Sequence, residues 1–169
     1  MKKLLKLNRS RSFLSAPARR TIFAIAVVLV CVNTGSLLRA QKAPVTVDWR
    51  KLRELNYQTG KMSAEIRGLN GKLVKIPGFM VPLEDEQDAV TEFLLVPYPQ
   101  ACIHVPAPPP NQIVHVKMNK GSKATVYYYE PIWIYGVLKI QKASSIYAES
   151  SYTLSGTKAE IYSEPFEEY

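Results

Sequence analysis

The chain has 169 residues, 47% of them hydrophobic, so it can bury one core but is too short for two large domains. Its formal net charge is +8, yet eight of the 22 basic residues lie in the first 40 positions, which hold no acidic residue. The remaining 14 basic residues equal the 14 acidic ones in number. A neutral domain lacks the basic stripe that binds nucleic-acid phosphates, so we expect no nucleic-acid partner.

The first 40 residues have the pattern of an export signal. A basic segment that ends at Arg20 precedes an apolar run over residues 22–32, and the small residue Ala40 offers a cleavage point before Gln41. The apolar run is shorter than the roughly 20 residues that a membrane-spanning helix needs. We therefore predict that residues 1–40 are a signal peptide or, if uncleaved, an N-terminal membrane anchor. The protein is then periplasmic or envelope-associated, and it touches the membrane only through an uncleaved segment.

A linker over residues 41–47 precedes the region that we expect to fold, residues 48–169, as a single β-rich domain. Asp48 is a residue type that commonly caps a helix, and Trp49 and Leu52 follow at helical spacing. The sequence therefore predicts a short N-terminal helix at the start of the domain.

Strand-like patterns separated by turn signals fill the rest of the chain. The predicted strands cover residues 72–83, 90–98, 101–105, 112–118, 124–129, 132–140, 145–154 and 159–162. Pro77-Gly78 interrupts the first strand and Gly136 lies inside a long one, which predicts a bend or bulge at each place. Five or more short strands indicate a mainly all-β fold, a small barrel or a sandwich.

A cysteine and a histidine lie two residues apart in one predicted strand, at Cys102 and His104, so their side chains point the same way. Thiolate and imidazole are ligands that zinc and copper favour. His115 is the candidate third ligand, and Glu84 or Glu92 could supply an oxygen. The sequence predicts a metal site at Cys102, His104 and His115, with zinc as the first candidate; the alternative is a buried, inert Cys102.

Removal of the leader would also remove Cys31, which leaves Cys102 as the sole cysteine of the mature chain. An internal disulfide is then impossible. A nearby histidine could instead lower the pKa of the Cys102 thiol and make it a nucleophile, with Asn111 orienting the imidazole. No glycine-rich turn or helix N-terminus supports that chemistry at Cys102, so we do not favour an enzyme.

The proline-rich segment that follows is stiff and can present polar side chains to a partner. We predict binding residues at Pro108, Pro109, Pro110, Asn111 and Gln112.

Several blocks of the chain together resemble the uncharacterised exported bacterial family DUF3299. They are residues 76–84, 93–98 followed by 102–104, 108–112 and 131–136. The resemblance implies a small barrel of the oligonucleotide/oligosaccharide-binding (OB) type and a setting of metal handling or envelope transport. It carries no established activity.

These observations favour an exported accessory protein of the cell envelope, with unknown activity and a transition-metal site. The alternative is a non-enzymatic interaction module of an envelope transport complex, whose partners would be membrane transporter components.

Overall fold

The computed structural model describes residues 43–85, 88–99, 101 and 106–163. By its contacts the chain divides into Met1–Gln41 and Lys42–Tyr169, and all described residues belong to the second unit. The predicted signal peptide or anchor lies outside the described residues, as do Cys102 and His104.

Strands dominate the described part of the chain, with two short helices near its start. The elements in chain order are β1 (Val45–Thr46), α1 (Trp49–Leu52), α2 (Ala64–Leu69), β2 (Leu73–Pro82), β3 (Ala89–Val90), β4 (Glu92–Val96), a 3-10 turn (Pro110–Gln112), β5 (Val114–Met118), β6 (Ala124–Thr125), β7 (Ile132–Ser144) and β8 (Glu149–Ile161).

Five strands close into a ring because β2 pairs on both sides. Residues 73–78 of β2 pair with β7, and residues 79–82 pair with β4; both pairings are antiparallel. The ring continues from β4 to an antiparallel β5, from β5 to a parallel β8, and from β8 to an antiparallel β7. This arrangement confirms the predicted mainly all-β fold. Of the two predicted forms, barrel and sandwich, the ring of strands has the barrel form and matches a five-stranded OB-like barrel. Strands β3 and β6 form a separate two-stranded sheet.

The bend predicted at Pro77-Gly78 marks the point where β2 changes partners. A Cβ atom at Gly78 would lie 2.7 Å from the carbonyl oxygen of Val96, so only glycine lets the backbones approach this closely. Trp49 Nε1 donates a hydrogen bond of 2.7 Å to the Pro77 carbonyl oxygen. The bend and the first helix are therefore joined directly.

The predicted N-terminal helix is present as α1. The Asp48 carboxylate accepts a hydrogen bond of 2.7 Å from Lys51 N and caps the helix start. Trp49 and Leu52 are fully buried and pack in the same cluster as the residues that line the inside of the barrel. Within the described part of the chain, no helix is long and apolar enough to cross a membrane.

Two apolar clusters lie on opposite sides of the barrel wall, because successive strand residues point to opposite faces. The interior core includes, from the five barrel strands, Val74, Ile76, Met80, Phe93, Leu95, Val114, Val116, Ile134, Leu138, Tyr152 and Leu154. A second group, here called the outer cluster, consists of Phe79, Val81, Leu94, Val96, Ala101 and Ile113. Ala101 and Ile113 belong to the connection between β4 and β5, so that connection packs against the outside of the barrel.

The structure has one long strand where the sequence predicted two, over residues 145–154 and 159–162. Residues 149–161 form the single strand β8, although Ser155 and Gly156 resemble a turn. Gly156 lies opposite Gly136 of β7, beside a register shift at Tyr135/Gly136. Because neither glycine has a side chain, the two strands approach closely and pairing continues through the predicted turn.

Alanine at Gly136 should be poorly tolerated. Its Cβ would overlap Leu154 Cδ2 and the carbonyl oxygen of Ser155. We expect Gly136→Ala to lower the free energy of unfolding in urea by at least about 2 kcal/mol. Gly68→Ala is the matched control: Gly68 lies in α2 with open space around it, so alanine should stabilise by about 0.5–1 kcal/mol. Equal effects of the two substitutions would contradict the close approach of β7 and β8.

Candidate functional site: a groove on the outer face of β4 and β5

His115 faces outward from the barrel. On β5, Val114 and Val116 are fully buried in the interior core, whereas His115 between them is only partly buried. Its direct partner across the sheet is Leu94 of β4, a member of the outer cluster. The alternation that fills the barrel thus places an imidazole beside an apolar patch on the outside.

The imidazole is held by a carboxylate from the neighbouring strand. His115 Nε2 lies 2.6 Å from Glu92 Oε1, and Lys117 Nζ lies 3.1 Å from Glu92 Oε2. The side chains of His115 and Glu92 are 12% and 28% exposed, so the pair is partly shielded from water. When Nε2 carries the proton it donates to Glu92, and the described residues provide no partner for Nδ1.

Glu92 is a carboxylate at neutral pH. Burial alone would raise its pKa, but the hydrogen bonds from His115 and Lys117 lower it by more, and the pKa lies below its usual range. An ionised Glu92 fixes the orientation of the His115 ring.

Glu84 stabilises the loop that borders the site. Its Oε1 accepts hydrogen bonds from Thr91 N at 2.7 Å, Thr91 Oγ1 at 2.5 Å and Glu92 N at 2.9 Å. The bond from the Thr91 hydroxyl is the main reason that the pKa of Glu84 is lowered. Glu84 therefore ties the segment just after β2 to the start of β4.

These side chains line a groove of about 230 Å³. Its lining residues are Leu83, Glu84, Glu92, His115, Ser144, Ser145 and Ile146. The groove lies between the outer face of β4–β5 and the turn that joins β7 to β8. OB folds bind ligands on the face of their second and third strands, between the loops that follow the first and fourth strands. In this barrel the second and third strands are β4 and β5, and the loops that follow the first and fourth strands are those after β2 and β7. The groove is lined by residues of these same elements, so it occupies the equivalent place.

Of the three predicted metal ligands, the structure describes only His115. His115 lies in the groove together with Glu84 and Glu92, whereas Cys102 and His104 lie outside the described residues. Among the described residues, no group of three or more histidine, cysteine, aspartate or glutamate side chains is arranged to hold a metal ion. Ala101, the residue before Cys102, is fully buried in the outer cluster with Leu94, the cross-strand partner of His115. The metal site at Cys102, His104 and His115 therefore stays a prediction.

The proline segment leads into a short 3-10 turn. Pro108 is buried, Pro109 is exposed, and Pro110 and Gln112 are half-buried. Asn111 is only 8% exposed. The binding role predicted for these five residues also stays a prediction.

The Asn111 side chain fastens this segment to the first helix. Its Nδ2 donates hydrogen bonds of 3.1 Å to the carbonyl oxygen of Arg53 and 2.8 Å to that of Leu55. Both carbonyls lie just after α1, where helical partners are missing. Both donor hydrogens of the amide are thus used inside the fold.

The sequence did not predict that the turn between β7 and β8 would line the groove beside His115. Ser144, Ser145 and Ile146 line the groove, although residues 145–154 were expected to form a strand. Ser145 Oγ accepts hydrogen bonds from the backbone of Tyr147 and Ala148 and so organises a turn. Two adjacent serines after a long strand were the available signal for that turn.

Removal of the Asn111 amide should destabilise the protein. Asn111→Ala leaves the carbonyls of Arg53 and Leu55 without their partner, so we expect the free energy of unfolding to fall by about 2–3 kcal/mol. Gln112→Ala is the control, because the half-buried Gln112 side chain makes no hydrogen bond among the described residues; its effect should stay within about 0.5 kcal/mol. Urea denaturation measures both, and an equally stable Asn111→Ala variant would contradict the role of the amide.

Comparisons with known proteins agree with the fold. A family model described as "Protein of unknown function (DUF3299)" matches residues 34–161. The crystal structure of a DUF3299 family protein from Pseudomonas aeruginosa PAO1 is 33% identical in sequence and superposes with a TM-score of 0.59. The match covers 73% of this chain and 99% of that one. No curated protein matches the chain. The chain therefore belongs to the DUF3299 family.

Proposed function

We propose that the protein is an exported accessory protein of the cell envelope that holds a transition-metal ion, with zinc as the first candidate, in the groove beside His115. The observation that carries the proposal is the 2.6 Å contact between His115 Nε2 and Glu92 Oε1. Histidines that bind metals commonly donate their second ring nitrogen to a carboxylate, which sets the tautomer and strengthens the ligand. Glu92 holds His115 in this manner, with Nδ1 left for the ion.

The remaining ligands in this proposal are Cys102 and His104. Support comes from Ala101, the residue before Cys102, which packs in the same outer cluster as Leu94. Leu94 is the cross-strand partner of His115, so the chain reaches the same face of the barrel just before Cys102. One sulfur and two nitrogen ligands suit zinc. Three protein ligands leave a fourth position for water or for a ligand of a partner, which fits handling of an ion better than a closed structural site.

Zinc binding should depend on these three side chains. We expect the mature protein, purified without chelator, to hold about one zinc per chain by elemental analysis. His115→Ala, Cys102→Ala and His104→Ala should each lose it. Glu92→Gln keeps every ligand but weakens the support of His115, so its zinc affinity in a chelator competition should fall by about 10- to 100-fold.

Lys117→Ala is the matched control for the zinc measurements. Lys117 contacts the same Glu92 carboxylate as His115 does but is not a ligand, so zinc should be retained. Metal-free protein whose stability is unchanged by all three ligand substitutions would overturn the zinc proposal. That result would favour the alternative, a non-enzymatic interaction module of an envelope transport complex that binds through residues 108–112.

Export is tested by the mass of the protein recovered from the envelope fraction of its host. Cleavage after Ala40 predicts a chain that begins at Gln41. An intact chain that begins at Met1 and sediments with membranes would contradict the cleaved form and favour the N-terminal anchor.

A further inference from the structure

A second groove lies away from His115, between the loop that follows α1 and the strand β7. Its volume is about 100 Å³. The main lining residues are Leu55, Tyr57, Met62, Ile140, Lys142 and Ser151. Leucine, methionine and isoleucine make the lining largely apolar, and none of these residues contributes to the groove at His115.

A bulge in β7 shapes one wall of this groove. Ile140 pairs with Tyr152 and Ala143 pairs with Ser150, so Gln141 and Lys142 together face the single residue Ser151. A bulge of this kind leaves a residue unpaired in the ladder and often lies beside a functional site, where it redirects side chains.

The Ser151 hydroxyl is a buried polar group without a partner. Ser151 is 3% exposed, and its Oγ makes no hydrogen bond within the described part of the chain. Its neighbour Ser150 is buried to the same degree, but Ser150 Oγ donates to the Ala143 carbonyl oxygen at 3.4 Å. A buried hydroxyl that is unbonded within the fold lowers stability unless another molecule bonds to it, and Ser151 belongs to the wall of the groove.

The opposite wall is a preformed loop. Asn56 Oδ1 accepts hydrogen bonds from Gln58 N at 3.1 Å and Thr59 N at 2.9 Å, and Asn56 N donates to the Lys61 carbonyl oxygen at 2.8 Å. Gly60 adopts a positive φ of 74° that closes the loop. Because these bonds fix the shape of the loop, the groove needs little ordering to bind a ligand.

We propose that this groove binds a short aliphatic ligand that carries one uncharged oxygen, such as an alcohol or an acyl carbonyl. The apolar walls select the hydrocarbon, and a volume of about 100 Å³ admits about four or five heavy atoms, since a cavity of about 150 Å³ accommodates benzene. A serine hydroxyl rotates between staggered positions and so turns toward an oxygen in the groove. The partner offered at Ser151 is buried and neutral, whereas the cation in the lining, Lys142, is exposed, so the site suits an uncharged oxygen better than a carboxylate.

Linear primary alcohols from ethanol to octanol are the probes, and the methyl resonances of Met62 and Ile140 report binding to the mature protein by nuclear magnetic resonance. We expect saturable shifts and an affinity that rises about fourfold with each added methylene. The rise should stop at propanol or butanol, once the groove is full. No saturable shift with any alcohol, or a rise that continues to octanol as on a general apolar surface, would overturn the proposal.

Two serine variants test the contact itself. Ser151→Ala should weaken butanol binding by roughly fivefold, while its melting temperature without ligand stays equal to or above that of the unchanged protein. Ser150→Ala is the matched control and should bind butanol normally, because its hydroxyl is bonded within the strand pair. Unchanged binding by Ser151→Ala, or equal losses in both variants, would contradict the assignment. His115→Ala should not affect butanol binding, because the two grooves share no lining residue. The butanol and zinc proposals can therefore be tested independently.

Discussion

The bend in β2 at Pro77-Gly78 is the constraint on which the rest of the structure depends. Before the bend β2 pairs with β7, and after it with β4, so one strand closes the barrel. Gly78 allows the backbone to approach Val96, and the Pro77 carbonyl accepts the indole N–H of Trp49. The same two residues therefore set the course of the sheet and the position of the first helix.

The interior of the closed barrel is filled, so a binding site has to lie on its outer face. Large side chains fill the interior, including Phe93, Tyr152 and the helix residue Trp49. The opposite face of β4 and β5 holds the outer cluster, and next to it His115 and Glu92 form a partly shielded polar pair. Cation handling suits such a surface, because it needs a few oriented polar groups beside a rigid apolar support.

The first helix is held to the barrel by contacts that span long stretches of sequence. The Tyr152 hydroxyl donates to the Leu52 carbonyl oxygen at 2.8 Å, and Asn111 donates to the carbonyls of Arg53 and Leu55. Desolvation is the main reason that the pKa of Tyr152 is raised, so this hydroxyl stays protonated and remains a donor. The asparagine of the proline-rich motif thus has a clear structural task, whatever else the motif binds.

The sequence was sufficient for the fold class because local patterns carry it. Alternation along β5, the helix cap at Asp48 and the Pro77-Gly78 interruption are all features of neighbouring residues. Sequence patterns did not predict that two expected strands form the single strand β8. That continuity depends on Gly136 lying opposite Gly156, which is a contact between distant residues. The contact between His115 and Glu92 depends on the register of β4 against β5, which residue types alone do not specify. Burial of Asn111 likewise follows from a helix more than fifty residues earlier in the chain.

The nitrogen resonances of the His115 side chain, recorded during a zinc titration of the mature protein, test the central claim most directly. We expect that Nε2 keeps its proton and its bond to Glu92, while the resonance of Nδ1 moves to the position of a metal-bound nitrogen at one equivalent of zinc. The same titration of Glu92→Gln should need more zinc to reach that state. An Nδ1 resonance that stays unchanged at excess zinc would contradict a metal site on this face of the barrel.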